Sequence, residues 1–141
     1  MGTLTCARGR TLARTAHLEL FAHGRVVIVP AGIGVAPPRV EDGAYVRGGR
    51  CRYPLWTVEP TGLIDAARGG LTVGDLFAVW GRPLSRTRLA GFAGTVRAFV
   101  AGRPWRGDPG AIPLARHAQI VIEVGEPVIP PHATYRFPDG R

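Results

Sequence analysis

The pattern of polar and apolar positions predicts a chain made mostly of β-strands. Over residues 17–22 the two kinds alternate, so Leu18 and Leu20 share one face of a predicted strand, opposite His17 and Glu19. The next two residues, His-Gly, form a tight-turn signal because glycine tolerates positive φ, and the chain is expected to return as a second strand. This alternation predicts a half-buried hairpin at the start of the fold.

Three further stretches carry strand signals. Residues 51–58 and 63–67 flank a Glu-Pro-Thr-Gly turn, and residues 95–100 return through 103–105 after an Ala-Gly turn. Residues 119–124 are rich in β-branched side chains, which favour a buried strand. The Pro- and Gly-rich segments between these strands are expected to be loops.

One convincing helix is expected between residues 72 and 81. Thr72 is a good N-cap, and Asp75 completes a variant of the capping box. Gly81 then supplies a left-handed stop. Four large apolar residues have the spacing of one helical face: Val73, Leu76, Phe77 and Trp80. A helix this short needs tertiary packing, so Phe77 and Trp80 are predicted as core anchors rather than ligand-stacking residues.

Together these elements predict an α+β fold that is mostly β, a small antiparallel or mixed sheet of hairpins around one short central helix. Two similar hairpin sequences, LELFAHGR and VRAFVAGR, flank the helix, and a β-grasp arrangement is one candidate. The expected organisation is a flexible N-terminal arm (1–15), a globular domain (16–126) and a Pro-rich extended tail (127–141).

Composition limits the classes of function. The 141 residues carry a net charge of +8, and all 18 basic residues are arginine. GC-rich coding bias explains this usage, and an anionic partner is the functional alternative. The arginines form three loose groups: Arg8/Arg10/Arg14, Arg47/Arg50/Arg52 and Arg82/Arg86/Arg88. Since no RNA-binding aromatic signature or helix-turn-helix accompanies them, specific nucleic-acid binding is not expected.

The same composition bears on location and on cysteine chemistry. No apolar run is long enough for a membrane span, and no signal peptide is visible, so the chain is expected in the cytoplasm. A start site further upstream would instead allow export. Cys6 and Cys51 are not expected to form a disulfide framework; Cys51 is predicted to be a small buried residue rather than a nucleophile.

Seven segments carry a family resemblance, and they keep their order along the chain. They are HLELFAHG (17–24), VPAGIGV (29–35), CRYPLWTVEPTGLID (51–65), LTVGDLFAVWG (71–81), VRAFVAG (96–102), GDPGAIPLARHAQIVIEVG (107–125) and YRFP (135–138). They resemble a family of small bacterial and archaeal proteins with a histidine-rich signature, in which HxHxHL precedes LHTHDxTGVIH. The resemblance covers the chain beyond residue 16 and implies a shared fold, but no established activity.

The family's histidines imply a transition-metal site for Cu or Zn, and this chain departs from it. Ala13 and Thr15 stand where the two earlier histidines would be. Non-ligating side chains, Trp56 and Val58, replace the next pair. Glu59 and Asp65 stand at two further positions of the pattern, whereas His17 and His117 are kept. No metal is therefore expected as a cofactor, and the residual ligand candidates are His17, Glu59 and Asp65, with Cys51 or His117 as additions.

Three hypotheses for function follow. The first is a non-catalytic binding or assembly module that uses a protein partner or a second copy of itself. The second, less favoured, is a small enzyme in which His17 acts as acid or base with Asp65 or Glu59, beside a wall formed by Trp56. The third is a residual Cu- or Zn-binding protein. The predicted pocket residues are Trp56, Val58, Cys51 and His117.

Overall fold

The computed structural model describes residues 4–141, so the first three residues of the predicted arm lie outside it. The fold is α+β and mostly β, as predicted. The strands are β1 (Arg14–Ala22), β2 (Arg25–Val27), β3 (Val40–Asp42), β4 (Tyr45–Gly48), β5 (Leu55–Trp56), β6 (Leu63–Ala66), β7 (Arg88–Leu89), β8 (Phe92–Ala93), β9 (Val96–Val100), β10 (Arg103–Trp105) and β11 (Gln119–Val124). The helix α1 spans Val73–Trp80, and a 3-10 turn spans Pro109–Ala111.

A mixed sheet of seven strands forms the frame. Its order is β10-β9-β11-β1-β6-β5, and β2 also pairs with β1. The central strands β1 and β11 are parallel, whereas the other pairs are antiparallel. Because β1 and β11 carry neighbours on both sides, they bury most of their side chains. The β-grasp relationship stays a prediction.

One face of this sheet packs against α1. Leu18 lies beside Ile120, and Leu20 beside Ile122, in the register of the central pair. All four are at most 1% exposed, and they join the helix residues in one apolar core. The alternation in β1 thus directs its apolar residues to the helix.

The helix has the ends and the buried face expected from its sequence. The Thr72 hydroxyl accepts a bond from the Asp75 N–H at 3.2 Å, and the Asp75 carboxylate accepts one from the Thr72 N–H at 2.9 Å. Gly81 ends the helix in the left-handed conformation, with φ of 80°. Phe77 is buried in the core, and Trp80 packs against it from a partly exposed position.

Several predicted boundaries were wrong. The strand β1 begins at Arg14, three residues before the start of the strand predicted at 17–22. Only Leu55 and Trp56 of the predicted strand 51–58 are paired as a strand. The predicted loops 36–50 and 81–94 each contain a short hairpin, β3–β4 and β7–β8. Strand pairing over two or three residues leaves too little alternation to be read from sequence.

The prediction for the cysteines was also wrong, because Cys6 and Cys51 form a disulfide. Antiparallel backbone bonds between Ala7 and Arg52, at 2.8 and 2.9 Å, reinforce this crossing. The N-terminal segment is therefore joined covalently to residue 51 and by backbone hydrogen bonds to residue 52.

No helix within residues 4–141 has the length and apolar character needed to cross a membrane.

Candidate functional site

The second face of the central sheet carries a row of polar side chains. Alternation along the strands places there the side chains that do not face α1. The row consists of Thr15, His17 and Glu19 on β1, Gln119 and Glu123 on β11, and Asp65 on β6. Apart from Glu19, which is partly exposed, these residues are buried. Burial of so many polar groups needs compensating hydrogen bonds.

Residues 127–141, here called the strap, cover this polar row. The strap contains no helix or strand, and it crosses the sheet in an irregular extended path. Near its start, the N–H of Ile129 donates to the Glu123 carboxylate at 2.6 Å. Further along, the His132 ring lies 3.0 Å from the Glu19 carboxylate. The backbone carbonyl oxygen of His132 accepts a hydrogen bond from the Gln119 side-chain amide at 3.3 Å. The strap thus satisfies polar groups that the sheet alone leaves open.

Two hairpin turns allow the strap to approach closely. A Cβ atom added to Gly24, in the β1–β2 turn, would lie 2.8 Å from the Pro127 ring. One added to Gly102, in the β9–β10 turn, would lie 2.9 Å from the Ala133 side chain. These glycines occupy matching positions in the two similar hairpin sequences. The repeated Gly therefore serves both the turns and the seating of the strap.

His17 lies at the centre of the row and is fully engaged. Its Nδ1 is 2.6 Å from the Gln119 Oε1, and its Nε2 is 3.1 Å from the Thr61 carbonyl oxygen. The Tyr135 ring of the strap stacks on the imidazole, with ring centroids 3.5 Å apart. The Gln119 amide also donates to Glu19 at 2.7 Å, which fixes the direction in which Gln119 faces His17. His17 is held on both edges and on one ring face.

The strap places an arginine between the two carboxylates that the resemblance marked. Arg141 donates to both oxygens of Asp65, at 3.2 Å from Nε and 2.7 Å from Nη2. Its Nη1 is 2.5 Å from the Glu59 Oε1. The Thr15 hydroxyl donates to Asp65 at 2.8 Å. The Arg141 side chain is only 18% exposed, so this is a largely buried ion triad.

The two carboxylates stabilise the charged form of this arginine. Burial lowers the pKa of Arg141, but the hydrogen bonds and charges of Asp65 and Glu59 more than offset it, and the pKa lies above its ordinary value.

The His117 ring contacts the same end of the strap. It lies 2.5 Å from the Arg141 carbonyl oxygen and stacks on Phe137 at 4.4 Å between centroids.

Glu123 lies at the other end of the row, where burial disfavours the charged form of its carboxyl group. Burial raises its pKa, the charge of Glu126 adds to the effect, and the bond from Ile129 and the charge of Arg97 offset it only in part. Within residues 4–141, its Oε2 is buried without a hydrogen-bond partner. The strap therefore covers this carboxylate without satisfying it completely.

The predicted site residues are brought together only in part. Asp65, Glu59 and His117 all meet Arg141, but neither carboxylate is a hydrogen-bond partner of His17. The predicted acid/base pairing is therefore not formed. Trp56 and Val58 belong instead to a small separate apolar cluster with Val35 and Val46.

The sulfur of Cys51 is bonded to Cys6, so it is not a free thiolate for a metal. Cys51 does line a cleft, but that cleft does not include Trp56, Val58 or His117.

The sequence reasoning missed the partners supplied by the strap. These are Tyr135, Phe137 and Arg141, together with Gln119 on β11. The one available signal was the YRFP segment, which keeps two aromatic residues at strand-like spacing in a tail otherwise rich in proline.

A cleft of about 420 Å³ opens beside the strap. It lies between the strap, β2 and the turn before β6, and both His17 and Glu19 reach its wall. Two of its apolar residues, Val26 and Ile28, are 69% and 64% exposed. The cleft thus reaches two residues of the polar row, of which Glu19 is partly exposed.

Neither metal-ligand geometry nor similarity to known proteins adds to this description of the site. Among residues 4–141, no group of three or more His, Cys, Asp or Glu side chains is placed to hold a metal ion. Neither a protein-family model, a curated protein nor a solved structure matches the chain. The family resemblance therefore stays a prediction, and the geometry of the strap carries the functional argument.

Proposed function

We propose that the chain is a non-catalytic binding module whose polar sheet face takes an extended protein segment carrying aromatic and arginine side chains. The strap occupies that face in the closed form of the molecule. The observation that carries the proposal is the seating of Arg141 between Asp65 and Glu59. A planar guanidinium that meets two carboxylates at once is a specific mode of arginine recognition.

The contacts that hold the strap are of a kind that a separate peptide ligand could replace. Its contacts with the polar row are ring stacks, an ion triad and single hydrogen bonds, rather than pairing as a strand of the sheet. Aromatic and arginine side chains are also the anchors most enriched at protein interfaces. A partner segment with the same anchors would compete with the strap, and a second copy of the chain supplies one such segment.

The other two hypotheses receive less support. The enzyme hypothesis needs His17 beside a carboxylate, and its ring nitrogens meet Gln119 and Thr61 instead. The metal hypothesis needs Asp65 and Glu59 as free ligands, and both contact the guanidinium of Arg141.

A peptide titration tests the proposal. The ligand is a synthetic peptide of residues 127–141, and the protein is the full chain carrying Tyr135→Ala and Arg141→Ala to weaken its own strap. We expect saturable binding by calorimetry, and at least tenfold weaker binding to the unaltered chain, because the tethered strap competes at a high effective concentration.

Two controls sharpen the titration. Arg136→Ala removes an exposed strap arginine and should leave the protein as closed as the unaltered chain. A peptide with alanine at the positions of Tyr135, Phe137 and Arg141 should not bind. Failure of the intact peptide to bind the double variant would overturn the proposal.

The disulfide adds a proposal about location. Disulfides persist mainly in oxidising compartments, so the Cys6–Cys51 bond supports export rather than the cytoplasm. Thiol labelling of the protein in its native cells tests this, since an exported chain should have both cysteines blocked.

A further inference from the structure

Two of the arginine groups, far apart in sequence, meet in one cleft. The cleft has a volume of about 360 Å³ and is lined by residues 7–10 and 48–52. It contains four arginines: Arg8, Arg10, Arg50 and Arg52. The disulfide and the backbone bonds between Ala7 and Arg52 hold its two sides together. This arrangement, here called the arginine cleft, lies outside the strap and the polar row.

Two of these arginines are fixed by the backbone. Arg10 donates to the carbonyl oxygens of Arg52 and Thr5, both at 2.8 Å. Arg52 donates to the Arg47 carbonyl oxygen at 2.7 Å, and its guanidinium lies 4.8 Å from the centre of the Trp56 ring. Carbonyl partners orient a guanidinium without neutralising its charge. The cleft therefore keeps two positioned positive charges.

The other two arginines are exposed. Within residues 4–141, Arg8 and Arg50 form no side-chain hydrogen bond, and none of the four arginines forms an ion pair. No Asp or Glu lines the cleft. By contrast, the nearby Arg47 is paired with Asp42 at 3.5 Å. The lining thus carries four positive charges and no negative one, and a bound anion would reduce the repulsion among them.

We propose that the arginine cleft binds a phosphate-bearing small anion. Guanidinium groups match the geometry of phosphate oxygens and can contact two of them at once. The two oriented arginines would fix the anion, and Arg8 and Arg50 would close over it. Because the disulfide joins the two sides, the site is complete only in the oxidised protein.

The test is a calorimetric titration of the oxidised full chain with inorganic phosphate and, separately, with inorganic pyrophosphate at low salt. Saturable binding is expected, tighter for pyrophosphate because it offers more oxygens and charge. The double variant Arg8→Ala/Arg50→Ala should bind pyrophosphate at least tenfold more weakly. Reduction of the disulfide should also weaken binding several-fold.

A matched control separates a site from general positive charge. Arg86→Ala/Arg136→Ala removes the same number of exposed arginines from outside the cleft. It should keep the affinity of the unaltered chain within about twofold. Equal losses in the two double variants, unchanged affinity after reduction, or binding of single-stranded DNA without saturable binding of pyrophosphate would each overturn the proposal. All substituted residues are exposed, and thermal unfolding of each variant checks that it folds.

Discussion

The two faces of the central sheet are built by the same strands but are stabilised in different ways. Towards α1, β1 presents Leu18 and Leu20 to a continuous apolar core. Towards the strap, it presents Thr15, His17 and Glu19, each of which needs a particular polar partner. Apolar burial is non-directional and tolerates many neighbours, whereas a buried polar group depends on one geometry. The helix face therefore depends on how much apolar surface is buried, whereas the strap face depends on which partners cover it.

The largest expected effect is on the helix face. Phe77→Ala removes a buried ring and should lower the free energy of unfolding by about 3–5 kcal/mol. Urea denaturation followed by fluorescence measures the loss. Tyr135→Ala on the strap is the comparison, and it should cost less because Tyr135 is partly exposed. Equal losses would break the contrast between the faces.

A smaller effect is expected from the ion triad. Asp65→Asn removes the main charge partner of Arg141 and should cost about 1–3 kcal/mol, less than a fully buried pair because Arg141 keeps some solvent contact. Hydrogen exchange should show faster exchange at residues 127–141 with the helix unchanged. Asp42→Asn, in the exposed pair with Arg47, is the matched control and should cost less than about 0.5 kcal/mol. Faster exchange throughout the helix would mean that the two faces are not independent.

The helix cap gives an expected loss of about 1 kcal/mol. Thr72→Ala removes the hydroxyl that accepts from Asp75 N–H and leaves that donor unpaired. The loss should appear in the global free energy of unfolding. Hydrogen exchange in the strap should become faster only to the same extent as in the helix. Thr72→Ser keeps the hydroxyl and should restore most of the stability. A strap-specific change would contradict the assignment of this cap to the helix face.

The subtlest effect is a pH dependence from the strap face. Burial raises the pKa of Glu123, so the folded state binds more protons than the unfolded state above the ordinary carboxylate pKa of 4.5. Its contribution therefore makes the free energy of unfolding fall as pH rises from that value through the raised pKa. Glu123→Gln should remove this fall in chemical denaturation at a series of pH values. Glu41→Gln alters an exposed carboxylate outside the polar row and should leave the fall in place.

Predictability followed the same division. The spacing of Val73, Leu76 and Phe77 and the cap at Thr72 are local signals, and they located the helix correctly. The alternation around His17 correctly assigned its face. The partners of His17 could not be predicted, because Gln119 lies 102 residues away and Tyr135 belongs to a tail with no periodic pattern. The disulfide was missed for the same reason, since its cysteines are 45 residues apart.

The sequence by itself determined which faces of β1 and of the helix are buried, and where the helix begins and ends. Hydrophobic periodicity and capping act over a few residues, so they are written directly into neighbouring positions. Only the tertiary structure decided what covers the polar face and what the charged residues meet. It seated Arg141 on Asp65 and Glu59, and it brought Arg8 and Arg50 into one cleft. Contacts between distant segments depend on the order of the strands in the sheet. That strand order results from many weak packing interactions acting together rather than from a local motif.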